Sequence, residues 1–217
     1  WLPLVAATGG ILAAAFVYAL AELRPVSPAR LALVGIAVGM TCDAGVDFIL
    51  VTADTYDISA PLVWLPGSLW SRGWQHLNAV WPILACLAAL CLILSYRLDL
   101  IRLGAAQAMG LGVNVRLERL GLLTLATLLA AVSVSVVGVL GFVGLMAPHI
   151  ARSLIGGTHR QVLPVAMLVG AVLVMLADAV GRALLQPIEV SEGILPAMFG
   201  APFFIFLLLT DRSEAHS

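Results

Sequence analysis

RLDLIRLGAAQAMGLGVNVRLER, Arg97 to Arg119, is the stretch from which the rest of the chain can be read. It lies between two long apolar runs, carries four of the chain's eleven arginines and has no proline. Its centre, Gly104 to Gly112, is built from Gly, Ala, Gln, Met and Leu. Such a segment is too polar to cross a bilayer and too helix-compatible to be a plain loop. Flanking arginines hold it at the inner membrane surface, and small residues let another surface approach its backbone closely. Two readings follow. One is a long cytoplasmic loop lying on lipid headgroups; the other is a docking surface for a soluble protein that moves the membrane part.

The composition around this stretch settles the class. Of 217 residues, 62% are apolar and 11% charged, against about a quarter charged in a soluble domain. The chain reads as an all-α, polytopic membrane bundle forming a single transmembrane domain over residues 1–217, with 97–119 as its cytoplasmic segment. The net charge of −1 carries no information; its distribution does. Cys42, Cys86 and Cys91 fall inside apolar runs without metal-ligand spacing and read as small lipid- or core-facing residues. The chain opens on Trp1 within an apolar run, with neither a starter Met nor a charged leader region, so a preceding segment is expected.

Seven apolar segments are expected, running from about Leu2 to Ala21, Arg30 to Val51, Ala79 to Tyr96, Leu120 to Leu140, Gly141 to Ile155, Val162 to Leu185, and Ile194 to Leu209. Gly9-Gly10 and the pair Gly35 and Gly39 offer faces for close helix approach. Between the second and third segments the chain turns polar and aromatic, with Trp64, Trp70 and Trp74 suited to the membrane boundary and a turn at Pro66-Gly67. The fifth segment is short for a full crossing and is tolerated only where other helices bury it. Placing Arg24, Arg30, Arg97, Arg102, Arg116, Arg119, Arg152, Arg160 and Arg212 on one side collects nine of the eleven arginines, and that side is cytoplasmic.

A few polar residues stand out against this background. Asp178 and Arg182 are four apart on one helix face, an intrahelical ion pair that lowers the cost of carrying each charge. Arg182 also lies near the outer mouth, where it could meet an acidic partner. Asp43 and Asp47, again four apart, have no neutralising neighbour in sequence. They should face a water-filled path, an outer vestibule or a partner on another helix, with a proton relay as a further option. His149 has no companion ligands and reads as a hydrogen-bonded packing residue. No metalloprotease, serine-hydrolase or Walker-type phosphate motif occurs, so the chain is expected to need no cofactor and to be no enzyme.

The run GFVGLMAPHIARSLIGGTHRQVLPVAMLVGAVLVMLADAVGRALL resembles the signature region of the FecCD-type permeases, the membrane subunits of type II ABC importers for ferric siderophores, haem and cobalamin. GAPFFIFLL resembles the family's final helix, and LVGIAVG and WLPGSLWSRGW resemble earlier parts, the last in its siderophore-type form. The resemblance implies ten helices, of which this chain would match the last seven. It also implies a second permease subunit, two ATP-binding cassette ATPase subunits docking from the cytoplasm, and an extracytoplasmic substrate-binding protein. By the same resemblance LGAAQAMGLGV, from Leu103 through Gly104, Ala105, Ala106, Ala108, Gly110 and Leu111 to Gly112 and Val113, corresponds to the coupling helices that seat in the ATPase. That favours the docking surface over the passive loop.

Further residues take roles from this resemblance. Arg182 matches a position that meets a glutamate of the binding protein, and Glu189 and Glu192 fall in the same outer region. Glu189-Val190-Ser191-Glu192-Gly193 departs from the usual Glu-aliphatic-Pro-aliphatic-Gly, which alters that loop's stiffness and charge. The expected function is transport of a ferric siderophore across a bacterial cytoplasmic membrane by an ABC importer, with haem or cobalamin as alternatives. Two rivals differ in class: a proton-coupled transporter using Asp43, Asp47 and Asp178, and an intramembrane enzyme using His149 and Asp178.

Overall fold

The computed structural model describes residues 2–22, 28–52, 67, 73–185, 198, 200 and 202. Within them the chain is helical and contains no strand. The helices are α1 (Leu2–Glu22), α2 (Pro28–Thr52), α3 (Trp74–Ile93), α4 (Ser95–Arg102), α5 (Ala105–Gly110), α6 (Val115–Val137), α7 (Val143–Ile155) and α8 (His159–Leu185). Four helical stretches here are long and apolar enough to cross a membrane: Ala32–Thr52, Val80–Arg102, Val115–Val137 and His159–Ala183. Shorter apolar stretches, Thr8–Leu20 and Val143–Ile155, belong to α1 and α7. The last expected segment, Ile194 to Leu209, lies mostly outside the described residues, as do Glu189 and Glu192.

With thirteen residues, α7 rises about 20 Å, short of a hydrocarbon core of about 30 Å. It is therefore too short to span such a core by itself. What makes this tolerable is cover: α7 packs along α8, and its Met146, Ala147 and Ala151 are buried. A Cβ at Gly170 of α8 would sit 3.5 Å from Ala147 Cβ, a contact close enough for the two backbones to lie side by side.

α6 is the centre of the bundle, packing on α1 and on α3. Leu125, Ala131, Val132 and Ser135 are its buried positions. Gly10 of α1 faces Ala131, and a Cβ there would come within 3.0 Å of the alanine methyl, so small residues on both helices set their approach. At Gly35 and Gly39 of α2 nothing among the described residues lies within 4 Å of a Cβ built at either. Hydroxyls within the apolar helices bond back to their own backbone. Thr41 Oγ1 donates to Ala37 O at 2.8 Å, Thr124 Oγ1 to Leu120 O at 2.9 Å and Ser133 Oγ to Leu129 O at 2.8 Å. Each removes an unsatisfied donor from an apolar medium.

Candidate coupling site at the inner end

α3 and α4 form one rod with a break at Leu94, where Ser95 is buried and its Oγ donates to Leu92 O at 2.6 Å. Apolar along α3 and polar along α4, the rod leads into the Arg97–Arg119 stretch. α4 ends at Arg102, α5 follows after Leu103-Gly104, and α6 starts at Val115. The stretch is thus helical twice, with two tight reversals.

The second reversal is closed by Gly112. Its N–H donates to Met109 O at 2.9 Å and the next N–H, of Val113, donates to Ala108 O at 3.1 Å. This pair of bonds requires a left-handed residue at the glycine, and its φ is +80°. Asn114 then caps α6, its Oδ1 accepting from Leu117 N–H at 3.3 Å.

α5 turns one side inward and the other outward. Ala108 is fully buried, within a helix that packs on α4 and α6. Around it the surface is apolar and open: Leu103 is 57%, Met109 59% and Leu111 64% exposed, with Gly110 exposed between the last two. Nothing lies within 4 Å of a Cβ placed on Gly110. Ala105 and Ala106 form the first turn of α5 behind Gly104.

Polar bonds fix this seat to the bundle. Arg97 Nη1 pairs with Glu118 Oε1 of α6, while its Nε donates to Tyr96 Oη at 3.0 Å. Asp99 Oδ1 accepts from the backbone N–H of His159 at 2.8 Å and lies 2.7 Å from His159 Nδ1. Arg102 Nη1 donates to Gly157 O at 3.2 Å. Beside these bonds a cavity of about 330 Å³ opens between Arg102, Arg152, Gly156, Gly157, His159 and Val162. The α4 end, the α6 start and the α7–α8 turn therefore share one end of the molecule, bringing together Arg97, Arg102, Arg116, Arg119, Arg152 and Arg160. By the positive-inside expectation this arginine-rich end is the inner one.

Other expected residues lie away from this end. Arg182 Nε pairs with Asp178 Oδ1 at 2.8 Å near the far end of α8. Asp43 and Asp47 are exposed on α2, which packs on α1. Cys42 and Cys86 are exposed and Cys91 half-buried, and among the described residues no cluster of His, Cys, Asp or Glu could hold a metal ion. The Asp99–His159 and Arg97–Glu118 pairs carry no sequence signature, because their partners stand 60 and 21 residues apart.

The described residues form an all-helical bundle with four stretches long and apolar enough to cross a membrane and a polar, braced end. The model of the FecCD transport family matches residues 1–210, and the chain belongs to that family. It is 42% identical over 207 residues to the Fe(3+)-citrate import system permease protein YfmE of Bacillus subtilis (strain 168), covering 95% of this chain and 62% of that protein. It is 40% identical over 211 residues to the iron(3+)-hydroxamate import system permease protein FhuG of the same organism, covering 96% of this chain and 62% of that one. The chain thus spans about three fifths of the length of these relatives. A solved structure described as an inward-facing metal-chelate type ABC transporter superposes with a TM-score of 0.82 at 30% identity, covering 94% of this chain and 72% of that chain.

Proposed function

We propose that this chain is the membrane-spanning part of an ATP-driven importer that carries ferric siderophores or similar ferric chelates into the cell. One observation carries the reading: a short helix set between the charge-paired α4 and α6 presents, with its flanks, an open apolar and glycine surface, Leu103, Met109, Gly110 and Leu111, at the arginine-rich end. A contiguous open apolar patch beside charged groups marks an interaction surface. Full burial of one such side chain contributes roughly 1.5–3 kcal/mol, so this patch can seat another protein. The partner is an ATP-binding cassette ATPase. The import systems named for the relatives supply the cargo class, ferric citrate and ferric hydroxamate.

In this reading the chain performs no hydrolysis. ATP binding closes the ATPase subunits, the seat at residues 103–112 follows them, and the helices open or shut a path shared with a second permease subunit. Asp43 and Asp47 on α2 belong to the wall of that path. An extracytoplasmic binding protein delivers the chelate at the other end, against Arg182 and the loop that carries Glu189 and Glu192. Cargo so large and rigid is moved past a surface with few specific contacts, which suits a chain that lacks a ligand cluster among its described residues.

Gly110→Trp tests the seat. The site is open within the chain, so membrane insertion and melting temperature should not change. A bulky ring between Met109 and Leu111 should hold the ATPase away, lowering ATP-driven uptake about ten-fold or more, the equivalent of about 1.4 kcal/mol of docking energy. Unaltered stimulation of ATP hydrolysis and uptake in that variant would remove α5 from the interface.

A further inference from the structure

We propose that Asp99 is a positioning residue that makes the α5 seat and the α7–α8 hairpin move as one body; this rests on the reading of α5 as the ATPase seat. α5 has six residues and touches only α4 and α6 among its main contacts, so it cannot itself drive a distant helix. α4 can. It is bracketed by Glu118 of α6 through Arg97, and by the start of α8 through Asp99 and Arg102.

The Asp99 bond has the right chemistry for a rigid joint. The first turn of α8 presents N–H groups without intrahelical acceptors and the positive end of the helix dipole. A single oxygen, Oδ1, takes the His159 N–H at 2.8 Å and meets the His159 ring at 2.7 Å. An ionised carboxylate only accepts, so the ring proton is on Nδ1. Short bonds to a charged acceptor are the strong ones, and two on one oxygen fix direction as well as distance. Arg102 holds the preceding turn through Gly157 O. Beyond this joint α8 continues for 27 residues, about 40 Å, carrying Asp178 and Arg182 at its far end. A displacement of α5 therefore reaches the opposite membrane surface through α4, Asp99 and α8.

The test uses the full-length permease assembled with its partner permease and ATPase subunits, and reads amide hydrogen exchange with and without ATP and vanadate. In the unaltered complex, ATP should change exchange both in α5 and in residues 156–162. Asp99→Ala should keep the change at α5 and lose most of it, at least five-fold, at 156–162. In the resting state the same variant should raise exchange of the His159 amide about ten-fold or more. Asp99→Asn keeps an acceptor oxygen but loses the charge; it should retain about half of the transmitted change, and carries the test if the alanine variant does not assemble. An undiminished ATP-dependent change at 156–162 in these variants would overturn the proposal while leaving the seat in place. No ATP-dependent change at α5 in the unaltered complex would overturn the seat and the joint together.

Discussion

The two ends of the bundle are held by different physics. At the inner end, helices α4, α6 and α8 meet through charged and polar side chains, Arg97 with Glu118, Asp99 with His159, and Arg102 with the Gly157 carbonyl. At the outer end, the break between α6 and α7 is held by close approach. A Cβ at Gly67 would lie 2.7 Å from Val139 O and 3.0 Å from Leu140 Cδ2, and Gly200 is pressed on Phe142. Phe142 itself adopts the left-handed region, with φ 64° and ψ −24°, which a bulky residue enters only when its surroundings demand it. The inner end should tolerate added volume and suffer from lost charge. The outer end should do the reverse.

The largest expected effect follows from that contrast. Gly67 is buried with φ +82°, so Gly67→Val adds both backbone strain and a clash with a carbonyl that cannot move away cheaply. The cost should be roughly 3 kcal/mol, from left-handed strain and overpacking together. Val placed at Gly110, which is helical and open, should change stability by no more than about 0.5 kcal/mol. Denaturant unfolding of both variants in detergent compares them directly. Equal costs would show that the two ends are not held differently.

A second, smaller effect concerns charge at the outer end. Arg182 is half-exposed and paired with Asp178 one turn earlier, so the guanidinium keeps one face open. Arg182→Glu sets two carboxylates four residues apart and reverses the sign offered to an acidic partner. Affinity for the extracytoplasmic binding protein should fall about ten-fold, or about 1.4 kcal/mol, in a surface-binding measurement. Unchanged affinity takes Arg182 out of that interface and leaves it as an intrahelical pair alone.

What could be read from the sequence was what repeats locally. The membrane class, the course of α1 and α2, the shortness of α7 and the i,i+4 spacing of Asp178 and Arg182 all follow from neighbours along the chain. Pairings across the chain could not be read. Nothing in RLDLIR announces that Asp99 accepts from the first residue of a helix beginning sixty residues later, and that helix starts at His159 and not at Val162 as polarity suggests. Likewise α3 begins at Trp74, before the apolar run proper, because helix formation does not stop at the water boundary. The small-residue signal was real but named no partner. Gly10 meets Ala131, whereas Gly35 and Gly39 meet nothing within the described chain. Ala108 was legible as a small residue, but its full burial within the chain was not.

The smallest expected effect decides between two classes of transporter. Asp43 and Asp47 are exposed on α2, and a carboxylate facing hydrocarbon at the bilayer centre would cost roughly 2.5–3.5 kcal/mol, so both must face water or polar groups. A proton relay would need one of them to change charge in every cycle. A hydrated wall would need only their polarity. Asp43→Asn and Asp47→Asn keep shape and polarity and remove the charge, so uptake in vesicles should stay within about two-fold, a difference of about 0.4 kcal/mol, and should remain dependent on ATP. Asp178, the third member of the relay reading, already has its carboxylate engaged by Arg182 at 2.8 Å. Abolished uptake in either asparagine variant, or uptake that continues without ATP, would move the engine of transport from the cytoplasmic seat to α2. The inner end would then be a structural brace and no more.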